Sequence, residues 1–251
     1  YLKPVESSGN KEKDILDMSA IYIDNDKYDE TTAIKYTKLL IKANNEEITD
    51  SEIDELLKEE EFDFSKINVL EVLREQKEMQ LKGNLYHNTQ IIFAYNTNHI
   101  EGSELTEDQT RYIYETNTLL TEKESITNID DIIETVNHFK LFDYMLDVAE
   151  RDLTEEMIKE FHKILKEVTS DSRKDWFAVG DYKKLSNEVG GVSTTAHKDV
   201  EKHMKKLLDW YENLEIVTIN EIIEFHAKFE KIHPFQDGNG RVGRMIMFRE
   251  C

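Results

Sequence analysis

Residues 233–244 read His-Pro-Phe-Gln-Asp-Gly-Asn-Gly-Arg-Val-Gly-Arg. Ile222, Phe225, Phe229 and Ile232 carry a helical apolar stripe up to His233, and Pro234 cannot continue it. Helical character resumes from Val242 through Phe248, so the spacing predicts helix, tight loop, helix, with Gly238-Asn239-Gly240 in the loop at the second helix's start. Glycines there let successive backbone N–H groups converge, and the helix dipole adds positive potential, which suits a phosphate. Arg241 and Arg244 are three residues apart, share one helix face and can reach the same polyphosphate. Asp237 is the hard oxygen donor that Mg²⁺ prefers beside phosphate oxygens. His233 supplies imidazole, the side-chain type whose unperturbed pKa of about 6.5 suits proton transfer at neutral pH. Each part alone has a plainer reading, since a helix-end histidine is usually structural and Asp-Gly is usually a turn. Together they point to phosphoryl or nucleotidyl transfer. No Gly-x-x-x-x-Gly-Lys-Ser/Thr sequence occurs, so an ordinary P-loop is not the vehicle.

Composition sets the frame around this segment. The 251 residues hold two prolines and nine glycines, too few turn-formers for a sandwich or barrel of many short strands. Long helices are favoured, and the expectation is a soluble, mostly helical protein. Fifty-three acidic against 32 basic residues give a formal charge of −21, which repels nucleic acid and anionic lipid at long range. No nucleic-acid or membrane partner is expected. The single cysteine, Cys251, cannot form an internal disulfide, and neither a long apolar run nor a signal-peptide pattern is seen, so the expected compartment is cytoplasmic. The sequence opens at Tyr1 rather than Met, so an upstream segment stands outside this reading.

Along the chain, the first twenty residues read as a polar lead-in, and residues 29–43 carry a helix-compatible pattern. Thr49 with Glu52 resembles a capping box. Leu70, Leu73, Leu81, Leu85 and Ile92 predict one or two helices interrupted near Gly83. Thr106 with Gln109, Thr154, and Thr218 with Glu221 mark helix starts, and Leu153 with Ile158 occupy hydrophobic-staple positions. Residues 129–149 form the longest amphipathic stretch, and residues 199–213 another. Residues 180–197 break the pattern with three glycines and short alternations, and predict a β-hairpin turning at Gly190-Gly191, a candidate edge for another chain to pair with.

Residues 233–244 fit every fixed position of the Fic family motif, His-Pro-Phe-x-Asp-Gly-Asn-Gly-Arg-x-x-Arg, and the chain resembles that family over about residues 85–251. The resemblance implies an all-α Fic-type core with a small hairpin flap, and transfer of AMP from ATP to a hydroxyl of a protein target. By analogy His233 is the base, Asp237 holds Mg²⁺ (or Mn²⁺), Gly238, Asn239 and Gly240 cradle the phosphates, and Arg241 and Arg244 bind them. Gly180-Asp181-Tyr182-Lys183 and Val189-Gly190-Gly191 resemble the family's flap, which docks target backbone as an added strand. Lys183 stands where many members have arginine and so lacks a bidentate donor. Thr97-Asn98-His99-Ile100-Glu101-Gly102 fits the inhibitory pattern Ser/Thr-x-x-x-Glu-Gly/Asn, in which the glutamate occupies the second motif arginine, here Arg244. The plainer reading of that segment is a helix end at Gly102 with a solvated glutamate. His99 reads as incidental.

Alternatives of the same resemblance are removal of AMP, with Glu101 positioning water, and transfer of UMP, phosphocholine or phosphate, although the intact motif favours AMP. A peptide-docking module without chemistry is a further alternative, against which His233 and Asp237 argue. Residues 1–84 are expected to be a helical region that the resemblance does not explain. The chain ends seven residues past Arg244, short of the family's helical continuation, so no adenine pocket is assigned.

Overall fold

Side-chain caps start the helices where the threonines and asparagines stand. In the computed structural model, which describes residues 68–120 and 126–251, Asn68 Oδ1 accepts from Leu70 N at 3.1 Å and opens α1, Val69–Met79. Gln80 and Gly83, both at positive φ, end α1 and turn the chain into α2, Leu85–Ile100, whose cap Asn84 accepts from His87 N at 2.8 Å. Thr106 and Gln109 cap each other at the head of α3, Glu107–Thr116. α4 spans Ile129–Val148, and α5 spans Glu155–Lys166 behind Thr154, with Ile158 fully buried and Leu153 packed on the same core. After the flap come α6, Val200–Glu212, and α7, Ile219–Ile232, headed by the Thr218–Glu221 capping box. α8, Asn239–Glu250, closes the described chain. The readings for residues 29–43 and for Thr49 with Glu52 lie outside the described residues.

α4 is the central helix. It packs against α5, α2, α1, α3 and α8, and Thr135, His138, Phe139, Leu141, Phe142 and Met145 bury most of its circumference. On the other side α7 packs against α8 and α6, so that Phe161, Leu165, Met204, Phe229, Phe235 and Met245 meet α4's Phe142 in one core. A smaller cluster of Ala94, Leu105, Ile113 and Phe139 sits under α3. The compact unit runs from Asn68 to Cys251.

Among the described residues the architecture is therefore all-α with one small hairpin, as expected, but two local readings change. The predicted hairpin over 180–197 shrinks to two-residue strands, β1 Glu188–Val189 and β2 Val192–Ser193, paired antiparallel. Its stems are held by side chains instead of a longer ladder. The second motif helix begins at Asn239 rather than near Val242, because Gly238 at φ 78° is already its N-cap. Among the described residues, no helix is long and apolar enough to cross a membrane.

Candidate active site

The loop between α7 and α8 is built by its own side chains. His233 is the C-cap of α7 at φ 52° and ψ 63°, and its N–H donates to Phe229 O at 2.8 Å. A left-handed backbone at a non-glycine residue is uncommon and must be held by its surroundings. The holding comes from Phe235, fully buried and stacked on His162 at 4.0 Å and 3°. Asn239 completes it: its Oδ1 accepts from Phe235 N at 2.8 Å, and its Nδ2 donates to Phe235 O at 2.9 Å. The Asn239 side chain thus ties the loop shut, leaving only its backbone to face a ligand. With Val242 N bonded to Gly238 O, the N–H groups of Asn239, Gly240 and Arg241 form the open N-terminus of α8.

Two carboxylates reach this helix start. Glu101, the C-cap of α2, lies directly over Gly240: a Cβ added there would collide with Glu101 Oε1 and stand 2.9 Å from Arg244 Nη1. Arg244 Nη2 donates to Glu101 Oε1 at 2.6 Å and to Thr97 O at 3.1 Å, and its Nε donates to Thr97 Oγ1 at 2.7 Å. Thr97 is buried, and Gly102 at φ 97° ends the helix just after Glu101. Thr97 and Glu101 of the predicted inhibitory motif thus meet at the guanidinium beside the phosphate-suited helix start, and Gly102 ends the helix that carries them. His99 bonds Ser103 O and stacks on Tyr95, away from these contacts.

Asp237 is the second. Its Oδ2 accepts from Lys166 Nζ at 2.7 Å and from Arg241 Nη2 at 3.3 Å. Burial alone would raise its pKa, but the ammonium and guanidinium outweigh that and hold it at about 2. Arg241 and Lys166 are both almost wholly buried, and Glu134 of α4 bridges them; Asp171 lies 3.2 Å from Lys166 Nζ. Burial opposes charge on both cations, yet the flanking carboxylates raise both pKa values. Arg241, expected to bind phosphate, is therefore engaged by Glu134 and Asp237 here, whereas Arg244 lies nearer the helix start.

Sequence reasoning passed over Glu134, Lys166 and His162. Glu134 was hidden inside an apolar stretch. Lys166 offered one signal: it follows Ile158, His162 and Leu165 on a buried face, where a charge needs a partner. His162 has its pKa pushed down to about 3, by burial first and then by Lys166, and so remains neutral; its Nδ1 accepts from Gly180 N at 3.0 Å.

The flap residues divide into anchors and tip. Gly180, at φ 73°, bonds His162, and a Cβ there would stand 2.8 Å from Lys163 Cβ. The Tyr182 ring packs 5.9 Å from Phe235 beneath Lys159. Lys183 is buried: its N–H donates to Pro234 O at 2.9 Å and its Nζ to Asn187 Oδ1 and Thr194 Oγ1, both at 2.7 Å. Burial pulls its pKa down to about 8. Val189, Gly190 and Gly191 form the exposed tip.

Helices that deliver a histidine, an anion-receiving helix start and a facing arginine–glutamate pair define a helical domain suited to phosphate-ester chemistry. Residues 152–250 match the profile of the Fic/DOC family. The chain is similar to the protein adenylyltransferase fic-1 of Caenorhabditis elegans, 28% identical over 163 residues, covering 63% of this chain and 31% of that protein. The protein adenylyltransferase Fic of Nematostella vectensis is 30% identical over 157 residues, covering 61% and 35% respectively. Among solved structures, a Fic domain containing signaling protein from Bacteroides thetaiotaomicron superposes with a TM-score of 0.57 at 25% identity, covering 72% of this chain and 70% of that one. The chain spans about a third of the length of the two curated relatives.

Proposed function

We propose that this chain is a protein adenylyltransferase that moves AMP from ATP to a hydroxyl side chain of a protein target, and that Glu101 restrains it. The relatives named protein adenylyltransferase support the reaction class. The observation that carries the reading is the loop itself, which sets His233 beside a helix start able to receive phosphates. In this reading His233 takes the proton of the target hydroxyl while its oxygen attacks the α-phosphorus. A new P–O bond forms, the bond to the β-phosphate breaks, and pyrophosphate leaves with the electron pair. The N–H groups of Asn239, Gly240 and Arg241 would hold phosphate oxygens, Gly238 allowing the turn that presents them. Arg244, once released from Glu101, would neutralise the terminal phosphate. The edge of the flap around Val189–Gly191 would take the target backbone.

The residues present fit a divalent ion of the Mg²⁺ or Mn²⁺ kind. Asp237 is ionised and flanks the phosphate-binding backbone, and one carboxylate with substrate phosphates and water suffices for Mg²⁺. Among the described residues no cluster of three or more potential ligand side chains occurs. When bound there, such an ion would neutralise charge developing on the phosphates.

The test is labelling of the Glu101→Gly chain and of a proteome with ATP carrying the label at either the α- or the γ-phosphate. Label from the α-position alone, lost in His233→Ala, is the expected result. Label from the γ-position would mean phosphoryl transfer and overturn the reading.

A further inference from the structure

Besides Asp171, which pairs with Lys166 and Lys174, four carboxylates lie at or close to the motif, and three of these are held by cations. Glu101 pairs with Arg244, Asp237 with Lys166 and Arg241, and Glu134 with Lys166 and Arg241. The fourth, Glu230, faces a histidine instead. It lies one turn before His233 on α7, and its Oε2 is 3.6 Å from His233 Nδ1. Glu230 Oε1 and His233 Nδ1 are both buried and lack hydrogen-bond partners among the described residues. Gly243 of α8 covers the carboxylate closely: a Cβ there would stand 2.9 Å from Glu230 Oε1 and 3.0 Å from His226 Nδ1. Glu230 Oε1 is thereby covered by α8 while the side chain as a whole is about one-third exposed, and the His233 backbone is pinned by its bond to Phe229 O.

We infer that Glu230 is the positioning residue of His233: it keeps the ring proton on Nδ1 and so leaves the Nε2 lone pair to accept the proton of the target hydroxyl. This rests on the transferase reading above. The chemistry is that of a base oriented by a third group: a carboxylate on one ring nitrogen selects the tautomer and raises the basicity of the other. The 3.6 Å separation exceeds a hydrogen bond by a few tenths of an ångström, and such contacts in the unliganded state are often long, tightening when substrate binds. Glu230 touches no reacting atom, so its influence passes through His233. His226, one turn earlier on the same helix, is the other titratable group that meets Gly243 there.

Two readouts decide it. ¹⁵N NMR of histidine-labelled full chain, at a pH where His233 is neutral, should find the proton on Nδ1 in the parent and moved toward Nε2 in Glu230→Ala. Glu230→Gln, whose amide oxygen still accepts, should retain the parent tautomer. A parent ring protonated on Nε2, or a tautomer indifferent to Glu230→Ala, overturns the inference. In the Glu101→Gly background, the rate of labelling from α-labelled ATP at saturation should fall by about 10–100-fold in Glu230→Ala, the range seen when an orienting partner is lost. The KM for ATP should stay within about twofold, since the residue acts on the proton-transfer step and not on nucleotide binding. An unchanged labelling rate, or a loss confined to KM, also overturns it. Should Glu230→Ala fail to fold, Glu230→Leu fills the space without an acceptor and carries the same expectations. If the Glu101→Gly parent itself does not label, the transferase reading fails, while the NMR result still decides whether Glu230 orients His233.

Discussion

Replacing Glu101 by glycine removes one hydrogen-bonded partner of Arg244 and leaves the other two contacts, both to Thr97, in place. The guanidinium therefore stays aimed at the helix start while its charge becomes available. A charge-assisted bond of this kind is worth about 1.5–3 kcal/mol. The side chains are 18% and 27% exposed, so solvent screens part of the attraction and the lower end, about 1.5–2 kcal/mol, is the better expectation. At about 1.4 kcal/mol per factor of ten, release of Arg244 in the productive complex should speed AMP transfer by about 10–30-fold. The assay is the initial rate of label incorporation from α-labelled ATP for the parent, Glu101→Gly, Arg244→Ala and the double variant. Arg244→Ala should be inactive, and Glu101→Gly should rescue nothing in its background, because the two residues act through one contact. The same pair also ties α2 to α8, so Glu101→Gly should melt about 3–6 °C below the parent. A Glu101→Gly rate within about twofold of the parent would refute the reasoning, as would an equal gain with and without Arg244.

Asp237→Ala should leave the chain folded, since Lys166 keeps Glu134 and Asp171, but labelling and its response to added Mg²⁺ should both disappear in an EDTA titration. His138 and His162, each with its pKa pushed down to about 3 chiefly by burial, are neutral in the folded chain, whereas unfolding lets them take protons near pH 6.5. The unfolded state therefore binds more protons below pH 6.5, and stability should be full above that pH and fall as pH drops toward 3; His138→Leu should flatten a Tm–pH curve measured from pH 7 to 5. Lys183→Met should remove the donor that Asn187 Oδ1 and Thr194 Oγ1 share, leaving the Thr194–Asn187 bond between the flap stems, at a cost of about 1–3 kcal/mol, seen as faster amide exchange over residues 187–194 with ATP binding retained. Phe235→Ala should destabilise the chain by about 3–5 kcal/mol, read from denaturant midpoints, and abolish labelling because the loop behind His233 loses its anchor.

Helix starts were legible because their code is local. Thr106, Thr154 and Thr218 each cap a backbone N–H within three residues, so sequence neighbours contain the whole interaction. Likewise the motif carries its own turn geometry: Pro234 ends one helix, and Gly238 supplies the left-handed cap of the next. The flap was legible only at its tip, Gly190-Gly191. Its extent was overread because Lys183, Asn187 and Thr194 bond to one another and to the motif loop where alternation suggested further strand.

The sequence by itself thus determined the helical class, the threonine-capped helix starts and the cast of the motif, from capping, periodicity and turn chemistry acting over a few residues. Only the tertiary structure decided which charges meet. Arg241 is taken up by Glu134, 107 residues away, a pairing that no motif announced; Arg244 meets Glu101, 143 residues away, as the resemblance implied but only packing could bring about; and the Asn239 side chain closes the loop on Phe235. The physical reason is that a buried charge must find its counter-charge wherever packing brings one. That neighbour is set by how α2, α4, α5 and α8 pack around the shared apolar core, a geometry no local pattern contains.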